Sequence, residues 1–221
     1  MRNVVLVLAA GMSSRFLGGK SAAADATLKL YSKLGKCSGR SVLSATVGLF
    51  YNHRSIDRIC VVVNPMHKEH YDKALIDFDN LLLTPGGDTR KKSVLRGLEF
   101  LSQYSPKNVL IHDAARPFIS HRIIDDVIEA LDTHHAVDVL MPVVDTIKTF
   151  RDGKLSILPR DSLYQTQTPQ GFNFSTIYDL HQKSVDDEYT DDISLCIAND
   201  LEVVYVLGET KNYKITFRDD L

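Results

Sequence analysis

Five short apolar runs, at residues 4–8, 59–63, 81–83, 109–111 and 137–141, alternate with stretches in which apolar residues recur at helical spacing. Val94, Leu95, Leu98 and Leu101 follow the turn Pro85-Gly86-Gly87-Asp88. Ile123, Ile124, Val127, Ile128 and Leu131 follow Ser120, an N-cap residue type, and a weaker helical pattern covers 41–51. Strand-helix alternation with crossovers this long predicts a doubly wound, mostly parallel α/β sheet, with right-handed connections and helices on both faces. At 221 residues and 44% apolar content the chain can bury a large core as a single domain, residues 1–221, and no internal repeat divides it.

The pattern changes after Met141. Residues 145–150 and 155–158 alternate around Arg151-Asp152-Gly153-Lys154, the signal of a β-hairpin turning at Asp-Gly. This defines a protruding arm at about 143–162. An isolated two-stranded hairpin is marginal in water, so the arm is expected to reach over the domain or onto a second subunit. Beyond it, 164–168 reads as a strand, 174–183 as a helix, Thr190-Asp191-Asp192 as the cap of a helix running through Cys196 to Asn199, and 202–207 as a closing strand.

A formal net charge of -2 argues against a polyanion-coating protein, so any phosphate ligand must be met by local cations and nucleic acid is not an expected partner. The N-terminal apolar stretch 4–10 is too short to span a bilayer and ends in Gly rather than at a cleavage site. Cys37, Cys60 and Cys196 are odd in number and lack metal-ligand spacing, which reads as reduced thiols. A soluble, unexported, cytoplasmic protein without a membrane partner is expected.

Two strand ends carry the chemistry. Val109-Leu110-Ile111-His112 runs into Asp113-Ala114-Ala115-Arg116, where small alanines let a ligand approach the backbone, Asp113 can hold a metal or a hydroxyl, and Arg116 offers a planar fork to phosphate. Leu8-Ala9-Ala10-Gly11-Met12-Ser13-Ser14-Arg15 breaks from a strand into small and hydroxyl residues whose backbone N–H groups can cradle phosphates beside the charge of Arg15. It is neither a dinucleotide fingerprint nor a P-loop, and alone it reads equally as an ordinary strand-to-loop turn.

Seven blocks, in order along residues 4–221, carry a resemblance to one family: Ala9-Ala10-Gly11 with Arg15; Gly86-Gly87-Asp88 with Arg90 and Ser93-Val94; His112 to Pro117; Pro142 to Lys148; Gln167-Thr168-Pro169-Gln170; Thr190-Asp191-Asp192; and Lys214-Ile215-Thr216. Together they resemble 2-C-methyl-D-erythritol 4-phosphate cytidylyltransferases. The resemblance implies transfer of CMP from CTP to a sugar-alcohol phosphate with release of pyrophosphate, with Mg²⁺ as cofactor and a homodimer as the working form. It implies Arg15 and Lys29 as catalytic stabilisers of the pentavalent α-phosphate. Ala9, Ala10, Gly11, Ser13, Gly87, Asp88, Ser93 and Ala114 would surround the nucleotide. Asp113, Arg116, Thr168 and Lys214 would bind the sugar phosphate, joined by Thr146 and Arg160 from the partner's arm, with Asp113 the candidate metal ligand. The family's loop lysine normally lies in a Pro-Lys-Gln context; here Leu28-Lys29-Leu30-Tyr31 departs from it and Lys20 is the rival.

A pentitol phosphate cytidylyltransferase using ribitol 5-phosphate shares the scaffold, but usually has Ser-Val where this chain has Ala114-Ala115. A non-catalytic nucleotide-binding protein on the same fold is disfavoured by the intact cationic set Arg15, Lys29, Arg160 and Lys214. His112 reads as a hydrogen-bonded structural histidine, and His67, His70, His134 and His135 as surface positions without zinc-site spacing. Asp191 and Asp192 read as dipole partners of a helix N-terminus. Arg90, Lys91 and Lys92 read either as attractors of CTP or as a solvent-facing first turn. The chain stops at Asp219-Asp220-Leu221, where relatives often continue, so a short complete form and the front part of a bifunctional polypeptide are both open.

Overall fold

In the computed structural model, which describes residues 2–11, 28–35, 39–184 and 189–221, the strand β1 (Asn3–Leu8) sends Val5 and Val7 into one apolar core and Val4 and Leu6 into another. A strand buried on both faces must be apolar throughout, which is why it is an unbroken apolar run in sequence. The elements that follow are α1 (Leu28–Tyr31), α2 (Val42–Tyr51), β2 (Arg58–Val63), α3 (Lys68–Leu75), β3 (Leu82–Pro85), α4 (Arg90–Ser102), β4 (Asn108–Asp113) and α5 (His121–Ala130). Then come β5 (Ala136–Pro142), β6 (Lys148–Arg151), β7 (Lys154–Ile157), β8 (Tyr164–Asn173), α6 (Phe174–Lys183), α7 (Asp192–Ala198) and β9 (Val204–Leu207).

Seven strands form one sheet in the order β3-β2-β1-β4-β8-β5-β9, and β6 and β7 pair apart from it. Helices α2, α3 and α5 cover one face and α4, α6 and α7 the other. The chain winds outward from β1 through β2 to β3, then returns to place β4 on the opposite side of β1. That reversal opens a crevice at the carboxyl ends of β1 and β4, where open α/β sheets bind ligands.

Two features differ from the expected pattern. β8 extends to Asn173 and runs antiparallel to both β4 and β5. The chain leaves β5 at Pro142 and re-enters the sheet opposite it at Tyr164, so no crossover is needed to reverse direction. Helix α3 was not anticipated, since only Tyr71 and Leu75 are buried among its charged neighbours. One i,i+4 pair is too narrow a stripe to register as a helical period. The hairpin arm forms as expected but shorter, turning at Asp152 (φ 51°) and Gly153 (φ 74°), the two left-handed positions that an Asp-Gly turn supplies. Cys60 and Cys196 are buried, and burial pushes both thiols up to about 12, which leaves them unreactive. Among the described residues no helix is long and apolar enough to cross a membrane.

Candidate active site

The crevice holds a cavity of about 750 Å³, within the range that accommodates a nucleotide-sized ligand. Its floor is the end of β1 with Ala10 and Gly11, and the end of β4 with Asp113, Ala114 and Ala115. One wall is the turn from β3 into α4, and the opposite wall carries Lys29, Lys214 and Thr216.

The β3–α4 turn is locked by its own hydrogen bonds, beginning with the Gly86 N–H, which donates to the Val63 carbonyl at 2.9 Å. Thr89 caps α4 by accepting from the Lys92 N–H at 3.1 Å. Ser93 Oγ, one turn in, accepts from the Gly87 N–H at 3.0 Å and points back to the Gly87 carbonyl at 3.3 Å. A Cβ on Gly86 would lie 2.3 Å from Ala10 Cβ, and one on Gly87 2.4 Å from Lys92 Cβ, so only glycine lets this turn close against the end of β1. The result is a helix N-terminus facing the cavity.

On the other side, a chain of backbone contacts fixes the cations. The Ile215 N–H donates to the Ala115 carbonyl at 2.8 Å, and Lys29 Nζ donates to the Ile215 carbonyl at 2.9 Å. Lys29 is thereby held at 6% exposure in the cavity wall. Its neighbour in space, Lys214, pairs with Asp113 Oδ2 at 2.7 Å. Burial works against the Asp113 charge, but Lys214, Arg90 and Arg116 outweigh it and hold the carboxyl well below the usual carboxylate range.

The loop that carries Lys214 is anchored by Asn212, which is fully buried. Its Nδ2 donates to Gln167 Oε1 at 3.1 Å and to the Thr168 carbonyl at 3.0 Å, while its own carbonyl accepts from Arg116 Nη1 at 2.8 Å. Arg116 also reaches the Thr166 carbonyl at 3.3 Å, so its fork ties strands and loop together behind the cavity. Thr168 is similarly engaged: its Oγ1 accepts from the Asp113 N–H at 3.1 Å and meets His112 Nδ1 at 3.0 Å. His112 Nε2 lies 3.1 Å from the Arg116 carbonyl, which can only accept. Nε2 therefore carries the proton, Nδ1 accepts from Thr168, and the imidazole is neutral. Burial pushes its pKa down to about 4. His112 is thus the structural histidine that its place on a buried strand predicted.

Of the expected site residues, the cavity brings together Ala10, Gly11, Lys29, Gly87, Asp88, Ser93, Asp113, Ala114 and Lys214. Ala9 lies just beneath, with its N–H donating to the Val62 carbonyl in the sheet at 2.9 Å. Thr168 and Arg116 stand behind Asp113 rather than in the wall. Thr146 and Arg160 lie on the arm and do not line this chain's own cavity. Arg15, Ser13 and Lys20 fall outside the described residues, as does Cys37.

Two readings sharpen. Asp192 stands in the first turn of α7, as expected of a dipole partner, but it is also 2% exposed, with Oδ2 2.8 Å from Arg90 Nη2 and Oδ1 2.9 Å from His181 Nε2. Asp191 alone caps α7, accepting from the Ser194 N–H. The first turn of α4 is divided, with Arg90 lining the cavity, Lys91 donating to the Ser184 carbonyl at 2.8 Å, and Lys92 half exposed and 3.6 Å from Asp88. The sequence reasoning also passed over Asn212 and the cavity-lining Asn64 and Pro65, because isolated polar and proline residues between elements carry no periodic signal.

A glycine-shaped turn, clustered ammonium groups and a switch-point crevice define the class of nucleotide-binding α/β domains. The family model for IspD, 2-C-methyl-D-erythritol 4-phosphate cytidylyltransferase, matches residues 3–221. The bifunctional enzyme IspD/IspF of Paramagnetospirillum magneticum is 38% identical, covering 100% of this chain and 55% of that protein. The 2-C-methyl-D-erythritol 4-phosphate cytidylyltransferase of Clostridioides difficile is 33% identical over 98% of this chain and 90% of its own length. The crystal structure of the 4-diphosphocytidyl-2C-methyl-D-erythritol synthase of Anaerococcus prevotii superposes with a TM-score of 0.82 at 30% identity, covering 99% of this chain and 92% of that one. This chain belongs to the 2-C-methyl-D-erythritol 4-phosphate cytidylyltransferase family. It spans about half the length of the bifunctional relatives it matches.

Proposed function

We propose that the chain transfers CMP from CTP to 2-C-methyl-D-erythritol 4-phosphate, giving the diphosphocytidyl product and pyrophosphate. The observation that carries this reading is the convergence of Lys29, Lys214 and the α4 N-terminus on a single switch-point cavity in a member of this family. A phosphate monoester with a second pKa of about 6 is already largely dianionic at neutral pH, so it attacks the α-phosphate without a general base. Nucleophile, CTP and leaving pyrophosphate are all anions. The barrier is therefore charge repulsion, and the protein's work is to align the groups and neutralise the charge that builds in the transition state.

In this reading the β3–α4 turn and the end of β1 surround CTP, and Lys29, with Arg15 from the preceding segment, stabilises the pentavalent α-phosphate. Lys214, steered by Asp113, aims the attacking phosphate. Magnesium suits the donor set: Mg²⁺ is commonly held by one or two carboxylates and substrate phosphates, and Asp113 and Asp88 both line the cavity. Bound there, the ion would neutralise charge on the triphosphate.

The arm supports a homodimer in which Thr146 and Arg160 serve the partner's cavity. Phe150 and Leu155 pair directly across the hairpin and share a face with Ile157, each at least 66% exposed. A hairpin this small with an open apolar face needs a partner surface, and a second copy is the one proposed. The buried thiols fit a reducing cytoplasm.

Pyrophosphate release and product mass, measured with CTP and Mg²⁺ plus either 2-C-methyl-D-erythritol 4-phosphate, ribitol 5-phosphate or no acceptor, test the assignment. Turnover is expected with the first alone. Its absence there would overturn the reading.

A further inference from the structure

The chain leaves β4 through a tight turn. The Arg116 N–H donates to the Asp113 carbonyl at 3.0 Å, closing a β-turn with Ala114 and Ala115 at its centre, and both alanines line the cavity. Its outer links are tied to the sheet and to the Lys214 loop: the Ala114 N–H donates to the Leu8 carbonyl at 3.2 Å, and the Ala115 carbonyl accepts from the Ile215 N–H at 2.8 Å. The peptide between the two alanines is the part that such a turn leaves free. Rotating it converts one turn type into another without moving the ends, so the direction it faces depends on the groups around it.

Thr46 supplies that group. It is fully buried in the middle of α2, on a helix whose Val42, Leu43, Val47 and Phe50 are buried too, and a valine of the same shape would pack there with no polar atom to satisfy. Its Oγ1 lies 2.9 Å from the Val42 carbonyl one turn back and 2.8 Å from the Ala114 carbonyl. One hydroxyl proton cannot serve both fully. The Val42 carbonyl already belongs to the helix ladder, whereas Thr46 is the sole partner of the Ala114 carbonyl among the described residues. Ala114 is 1% exposed, so without the hydroxyl its carbonyl would be buried and unpaired. The peptide is trans, so the Ala115 N–H points the opposite way, out from α2, and it meets no acceptor among the described residues. Ala115 is only 6% exposed, and a buried N–H without a partner is rare enough to call for one.

We propose that Thr46 is a positioning residue of the active site: by holding the Ala114 carbonyl against α2, its hydroxyl aims the Ala115 N–H at a substrate oxygen, either a sugar hydroxyl or a phosphate oxygen. Thr46 does not line the cavity and acts only through this peptide. The donor it aims lies between Asp113 and the Ile215 contact that brings in Lys214. The identity of the ligands rests on the cytidylyltransferase reading, but the donor does not: any oxygen acceptor seated on the two alanines would meet the same N–H. A donor fixed before the ligand arrives loses less freedom on binding than one on a peptide that can rotate.

The test uses the full chain with Mg²⁺ and three probes, CTP, 2-C-methyl-D-erythritol 4-phosphate and the diphosphocytidyl product, and follows the Ala115 amide by NMR. At least one probe is expected to shift that resonance and to slow its hydrogen exchange by about tenfold. A response to CTP assigns the acceptor to the nucleotide, and a response to the other probes alone assigns it to the sugar phosphate. Thr46→Val, which keeps the shape and loses the hydroxyl, is expected to raise the KM for the substrate so identified by about tenfold, to leave the other KM within about twofold and to abolish the amide response. Thr46→Ser, which keeps the hydroxyl, is expected to restore wild-type behaviour. A folded Thr46→Val with wild-type KM for both substrates, and only a lower melting temperature, would reduce the hydroxyl to the partner of one buried carbonyl and overturn the proposal. If Thr46→Val does not fold, the wild-type amide decides alone, and an Ala115 resonance unmoved by saturating product overturns it. Wild-type protein that binds a probe through this amide yet forms no product would sink the cytidylyltransferase reading while leaving the role of Thr46 intact.

Discussion

Acidification should destabilise this protein, most of all through His112. His112 is fully buried, and its pKa in the folded chain lies at about 4 against an ordinary 6.5. Between those values the unfolded chain binds a proton at this position that the folded chain refuses, so stability falls as pH falls. Burial is the main cause: a charged imidazolium would have to sit in a fully enclosed site, cut off from water. It would also place a charge near Arg116 and Lys214. From the two pKa values the loss is about 2 kcal/mol by pH 5 and about 3 kcal/mol by pH 4, with little above pH 7. Asp113 touches only the acid edge of this window, because its stabilisation is complete above the ordinary carboxylate pKa of 3.8 and begins to fade only as the unfolded chain takes up its proton near pH 4.

Urea unfolding of wild type and His112→Gln at pH 7.5, 6, 5 and 4 measures it. His53 and His67 are also shifted down by burial and add a slope in the same direction, so the informative quantity is the difference between the two proteins at each pH. The variant, less stable at neutral pH, should close most of the gap by pH 4. A gap that stays constant from pH 7.5 to 4 would refute the argument that a neutral His112 is required.

Three further outcomes follow from the site. Lys29→Ala should lower kcat by on the order of 10²–10³, the usual cost of one transition-state donor, and far more than Lys20→Ala; steady-state rates with saturating CTP decide the ranking, and the reverse order overturns the assignment of Lys29. If the arm serves the partner's cavity, mixing inactive Lys29→Ala and Arg160→Ala subunits should restore about a quarter of wild-type activity, because half the random dimers then own one intact site of two; a mixture no more active than its parents refutes sharing. Asn212→Leu should cost about 2–3 kcal/mol by orphaning the buried Thr168 carbonyl, and should raise the KM for the sugar phosphate as the Lys214 loop loosens; a wild-type KM in a folded variant would separate the loop from substrate alignment.

The sequence disclosed those parts of the molecule whose constraints are local. β1, β2 and β4 are legible because both faces are buried, and the glycine turn before α4 because close approach to Ala10 excludes any side chain. The strand end carrying Asp113 could be read because a charge beside small residues at the end of a buried run has few other uses, whereas Lys214, in the loop after β9, was reached only through the family resemblance. α3 and the direction of β8 were not readable: the first depends on a single buried pair, and the second on where the arm returns the chain.

The parts missed at the site share one physical trait, partnership across long separations in sequence. Arg90 reads equally as an attractor of CTP or a solvent-facing charge until α7 is known to bring Asp192 to it, and Asn212 carries no reading until Gln167 and Thr168 are seen to surround it. Buried polar groups must be satisfied, so each such pair is obligatory once the fold forms, yet neither member advertises the other. The consequence is directional. Local sequence pattern finds the groups that meet the ligand, whereas the groups that hold them, such as His112 behind Asp113, appear only when the elements pack. Substitutions at those supporting positions should therefore alter affinity and alignment in ways that a motif alone would assign to nothing.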